Sequence, residues 1–145
     1  MGIEGSIQIT IEKAPFTLKG IEILISDGWT LEIEGRSWLL PLGDQDEYNW
    51  QTVKPISEKV FSIMRQKYEL GEMIGIGLRV ESTHHGLNLL IFPDRFELLA
   101  DLSIHRRTLP NISHTDFSWY LQRLLPSLTK SGLYIGKVEC IDLNY

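Results

Sequence analysis

Three groups of side chains in this sequence have the types to do chemistry. His84 and His85 are adjacent in Ser82-Thr83-His84-His85-Gly86, and His105 precedes Arg106 and Arg107. Imidazole and guanidinium groups make an anion site when a fold gathers them in one concave pocket. Neighbouring residues of an extended segment point to opposite faces, so His84 and His85 alone chelate a metal poorly; ligands are better placed two or four apart. The plainer reading is an exposed polar turn, with the loop arginines solvated. Cys140 is the second group. It alternates with Glu139 and Ile141, and no histidine is tied to it as the base that a catalytic thiol requires, so a buried structural thiol is expected. The third group is the loop 43–50, where Asp44, Asp46 and Glu47 lead into Tyr48 and Trp50. Carboxylates beside aromatics suit recognition of a basic protein, the aromatics giving contact area and the acids steering the encounter.

Several chemistries lack their motif. There is no Gly-x-Ser-x-Gly elbow, phosphate loop, Gly-x-Gly-x-x-Gly or His-Glu-x-x-His, so no enzyme activity, cofactor or metal is expected. Gly75-Ile76-Gly77 has no helix behind it and reads as a close backbone approach or a bulge. The start Met1-Gly2-Ile3-Glu4-Gly5-Ser6 fits the loose myristoylation pattern, one that chance produces often.

Charge sharpens the third group. The chain of 145 residues carries a net charge of −5, against the clustered cationic charge that nucleic-acid binding uses. Its first fifty residues hold nine acidic and three basic side chains, while the remainder is nearly neutral. Trp29, Trp38 and Trp50 lie in the same stretch. Stacking platforms for single strands work inside a cationic groove, and here the sign is wrong. The competing reading is an acidic solubilising surface over buried tryptophans.

These groups need a scaffold, and with 43% hydrophobic and 23% charged residues the composition fits one soluble domain spanning 1–145. A chain of this length holds a core without disulfides, and its single cysteine permits none internally. Apolar runs such as 87–92 fall short of the roughly 20 residues of a membrane helix. The start lacks the zones of a secretory signal, so a cytoplasmic location is expected.

Residues 6–11 alternate Ile7, Ile9 and Ile11 with polar neighbours, the mark of a strand with one buried face. Segments 16–25 and 29–35 read as a hairpin closed by Asp27-Gly28, followed by a short strand at 37–42. A helix is predicted over 57–70, with Pro55 blocking an earlier start, Ser57 as cap and Gly71 as stop. Strands are expected at 72–82, at 87–92 and 96–102 as a second hairpin, and at 134–143. Phe117, Tyr120, Leu121, Leu124, Leu125 and Leu128 form the strongest helical stripe, begun by a Ser113–Asp116 capping box and kinked or divided by Pro126 near Gln122. The two halves look alike, with Gly71 and Gly132 at a constant offset of 61. The expected fold is therefore α+β, a mainly antiparallel sheet with two helices on one face, its halves either a pseudo-duplicated ββαβ unit or two uses of a unit common in α+β domains. Two small sheets in a sandwich are the alternative.

The chain resembles the small bacterial immunity proteins of contact-dependent inhibition and other polymorphic toxin systems. The resemblance is carried by size, the missing catalytic motif, the acidic aromatic loop 43–50, and Ser118-Trp119-Tyr120-Leu121-Gln122-Arg123-Leu124-Leu125-Pro126 followed by a β segment. It implies a protein that binds a cognate toxin domain, often a cationic nuclease, and blocks its active site. Two other readings stay open: a small anion-binding or enzymatic domain using His84, His85, His105, Arg106 and Arg107, and a structural or oligomerising module.

Overall fold

The computed structural model describes residues 2–13, 15–54 and 57–145. The alternation in the first segment does form a strand, β1 (Ile3–Glu12), in which Ile7, Ile9 and Ile11 are buried. It runs between two partners. The eight strands make one sheet in which every described pairing is antiparallel, and the architecture is α+β.

In chain order β1 is followed by α1 (Lys19–Ser26), β2 (Trp29–Thr30), β3 (Ser37–Leu39), β4 (Gln51–Val53) and α2 (Ser57–Glu69). Then come β5 (Ile74–Val80), β6 (Gly86–Ile91), β7 (Glu97–Asp101), α3 (Phe117–Lys130) and β8 (Tyr134–Asn144). Across the sheet the order is β4-β3-β5-β6-β7-β1-β8, with β2 also pairing β5. The helices bring Ile21 and Leu24, Val60 and Met64, and Tyr120, Leu124 and Leu128 into one core with Ile7, Ile76, Leu89 and Leu98 from the strands. Burying such a stripe is what holds a short helix in place.

The first predicted hairpin is absent. Ile21, Ile23 and Ile25 fit a period of two, but Leu24 is also apolar, so Ile21, Leu24 and Ile25 equally fit one side of a helix. Burial decides between them: Ile21 and Leu24 are wholly enclosed and the segment is α1. Asp27-Gly28 ends that helix instead of turning a hairpin, with Gly28 at φ 109°. Trp29 continues into β2 and pairs with Val80. The sheet therefore carries three helices rather than two.

Two further expectations change. Asp116, not Ser113, caps α3, its carboxylate accepting the Trp119 N–H. Pro126 does not divide that helix, which continues through Lys130. Both Pro126 and Gln122 are exposed, on the side of the helix where loss of a backbone hydrogen bond costs least. Pro55 lies outside the described residues, as does the side chain of Ser57. Gly71 and Gly132 do play equivalent parts, each at positive φ just after a helix. The strands that follow differ, since β5 joins β3 and β6 whereas β8 joins β1. The sheet is thus not assembled from two copies of one pairing pattern.

Candidate functional site

Register decides what stands on the face away from the helices, because paired residues of adjacent strands share a side. Ser6 lies beside Asp101 and Ile141, Gln8 beside Leu99, Glu4 beside Leu143, and Asn88 beside Asp101 and Gly77. This face holds a smaller apolar cluster of Leu40, Met73 and Leu90, with Trp50 and Leu99 partly covering it.

Gly75 lets the Trp50 ring settle on β5, and Gly77 leaves room for Ile33 and the Trp38 Cβ. A Cβ on Gly75 would come within 2.8 Å of the Trp50 ring and 2.7 Å of Leu40. One on Gly77 would meet Ile33 at 2.8 Å and Trp38 at 3.1 Å. The Gly-Ile-Gly sequence is therefore a close approach, as its composition suggested.

Two hollows result. One, of about 450 Å³, is bordered by Trp50, Tyr48, Asp101, Glu4, Ser6 and Leu99. The other, of about 520 Å³, is bordered by Trp38, Trp50, Ile33, Ile104, Glu34 and His105. Trp50 and Asn88 belong to both. Asp101 is half-buried, and burial, reinforced by the Glu4 charge, holds its carboxyl above the ordinary range against a lowering hydrogen bond from Ser103. The Tyr145 hydroxyl donates to Glu4 Oε1 at 2.9 Å.

The acidic loop is braced from beneath. Asp44 is only 5% exposed, and its carboxylate accepts the N–H groups of Tyr48 and Asn49, both at 2.9 Å. It is a structural anchor and not part of an open contact surface, because both carboxylate oxygens are spent on the loop's own backbone. Gln45, Asp46 and Tyr48 all have positive φ, conformations that persist only where surrounding contacts enforce them. Lys67 supplies one such contact, donating to the Pro41 carbonyl at 2.7 Å and standing 3.7 Å from Glu72. Burial lowers its ammonium pKa, while Glu72, Asp44 and Asp46 pull the other way. Asp46, Glu47 and Tyr48 remain exposed, Tyr48 by half, and Trp50 is partly buried between the hollows.

The alternative site gathers only in part. His84 lies 4.3 Å from His85 and 5.1 Å from His105 by ring centroids, and His105 Nε2 is 3.5 Å from Glu34 Oε1. The arginines are committed elsewhere. Arg106 donates to the Ser113 carbonyl and to Thr115, whereas Arg107 pairs with Asp116 and covers the Trp119 ring. Among the described residues, no three histidine, cysteine, aspartate or glutamate side chains are placed to hold a metal ion. Cys140 is exposed rather than buried, because β8 is an outer strand with a neighbour on one side only. Partial desolvation keeps its thiol pKa high, which makes it a weak nucleophile.

Glu4, Ser6, Asn88 and Asp101 escaped sequence reasoning. Their signal was the polar parity of strands whose other parity is apolar: Ser6 and Gln8 against Ile7 and Ile9, Asp101 against Ala100 and Leu102. The face offers carboxylates, indole surface and an amide, a set that receives a cation and repels a phosphate. No helix among the described residues is long and apolar enough to cross a membrane. In comparisons with known proteins, no family model, curated protein or solved structure matches the chain.

Proposed function

We propose that this chain is a non-enzymatic immunity protein that binds a basic toxin domain of the nuclease type on the helix-free face of its sheet and so blocks the toxin's active site. One observation carries the reading. A braced loop of enforced backbone geometry presents Tyr48 and Trp50 beside Glu4 and Asp101 on a face that no helix covers. Rigid aromatic anchors give contact area at low entropic cost, and the surrounding carboxylates complement a cationic surface. Asp46 and Glu47 stand at the rim, where they accelerate association more than they hold the complex.

Growth rescue tests it. The toxin domain encoded beside this chain should arrest cells when expressed alone and spare them when the chain is co-expressed. A Tyr48→Ala/Trp50→Ala double variant should lose the protection while still accumulating as folded protein. Full protection by that variant, or an adjacent frame with no toxic product, removes the proposal.

The clustering of His84, His85 and His105 beside the larger hollow supports a second reading, a pocket for a small ligand. Committed arginines weaken its anionic form. His105→Ala would abolish small-ligand binding under that reading and leave growth rescue intact.

A further inference from the structure

The smaller hollow has a composition more specific than a sticky acidic surface. Leu90 and Leu99 contribute apolar wall, Trp50 and Tyr48 aromatic surface, and Asp101 with Glu4 the charge. Among the described residues neither carboxylate takes part in an ion pair, whereas Asp27, Glu32, Glu72 and Asp116 each have a lysine or arginine beside them. Two like charges drawn together over a half-buried surface are costly unless a cation joins them.

We infer that this hollow is a socket for the guanidinium of one arginine side chain on the protein partner, its methylene stem lying along Leu90 and Leu99, its plane against Trp50 and its fork on Asp101 and Glu4. Guanidinium suits the site better than ammonium does. It is planar, stacks on indole, is weakly hydrated and can bridge two carboxylates, whereas an ammonium is a compact and strongly hydrated point charge. Asn88 and Ser6 border the same hollow and can accept the remaining N–H groups. The inference rests on the binding reading above and assigns it a chemical specificity: the partner presents an arginine at the centre of its contact surface.

The experiment titrates N-acetyl-L-arginine methylamide into the full chain and follows the four indole N–H signals by NMR. The expected result is a saturable shift of the Trp50 signal. The neutral citrulline analogue should bind about tenfold more weakly, as loss of a partly desolvated charge pair implies. Asp101→Asn and Glu4→Gln should each weaken arginine binding. Ser6→Leu, which fills the hollow without removing a charge, should abolish it even if one of the carboxylate variants folds poorly. Equal binding of arginine and citrulline overturns the socket, as does equal binding of arginine and the lysine analogue. If Asp101→Asn still protects cells from the toxin at full strength, the socket fails while the binding reading stands. If arginine enters the hollow and the toxin is neutralised without this face, the binding reading fails, and with it the assignment of the arginine to the partner, while the guanidinium selectivity of the hollow stands.

Discussion

The two faces of the sheet are made from the same strands, one residue out of phase, and they obey different rules. On the helix side β1 contributes Ile7, Ile9 and Ile11, β6 contributes Leu87, Leu89 and Ile91, and β7 contributes Leu98 and Ala100, all enclosed beneath three helices. On the other side the same strands contribute Glu4, Ser6 and Gln8, Asn88 and Leu90, and Leu99 and Asp101. There the cover is a loop and two tryptophans rather than a helix. Stability is concentrated on the first face. The second can hold strained backbone and unpaired carboxylates because the first supports the fold without it.

If that division is right, substitutions should separate cleanly into those that unfold the protein and those that affect binding alone. The largest effect is expected from Leu124→Ala, wholly buried on the inner side of α3, which should cost about 3 kcal/mol in urea denaturation. Leu99→Ala, half-buried on the open face, should cost about 1 kcal/mol; equal losses would erase the distinction. Asp44→Ala should lie between the two, near 2 kcal/mol, since it strips two backbone N–H groups of their acceptor beneath the loop.

Tyr48→Ala should leave denaturation unchanged to within about 0.5 kcal/mol, the side chain being half exposed. It should still weaken toxin binding about tenfold in calorimetry. Asp46→Lys with Glu47→Lys should slow association, with the difference fading as salt rises, and leave dissociation unchanged.

The smallest effect concerns pH. The folded carboxyl of Asp101 is held above its ordinary value of 3.8, so the folded chain binds that proton more tightly than the unfolded chain does. Its stabilising contribution is complete below 3.8 and is lost as pH rises through the raised value. Asp101→Asn, which cannot ionise, should match the parent protein in acid and melt slightly higher at neutral pH. A variant that melts lower at neutral pH would show that Asp101 supports the fold, contrary to the contrast between the faces.

How far the sequence carried these features depended on whether one pattern had one interpretation. β1, α2 and α3 were legible because their apolar residues fit a single period, and the β6–β7 hairpin because Pro93-Asp94-Arg95 separates two short apolar runs. α1 was not, since an unbroken apolar run fits both periods and only the neighbours it meets select one. The acidic loop 43–50 was visible as a cluster of acids and aromatics. Its internal division of labour was hidden, because Asp44 and Asp46 look alike in sequence and differ only in that one faces the loop's own backbone. Glu4 and Asp101 lie 97 positions apart and meet only through the pairing of β1 with β7 and its shared face. No local signal could join them.

Gly75 and Gly77 give the open face a property beyond accommodation. A methyl group at Gly75 would press on Leu40 and the Trp50 ring, and one at Gly77 on Ile33 and the Trp38 Cβ, so either would displace a side chain that borders a hollow. The shape of the open face can thus be changed from below, through two buried positions that carry no charge of their own.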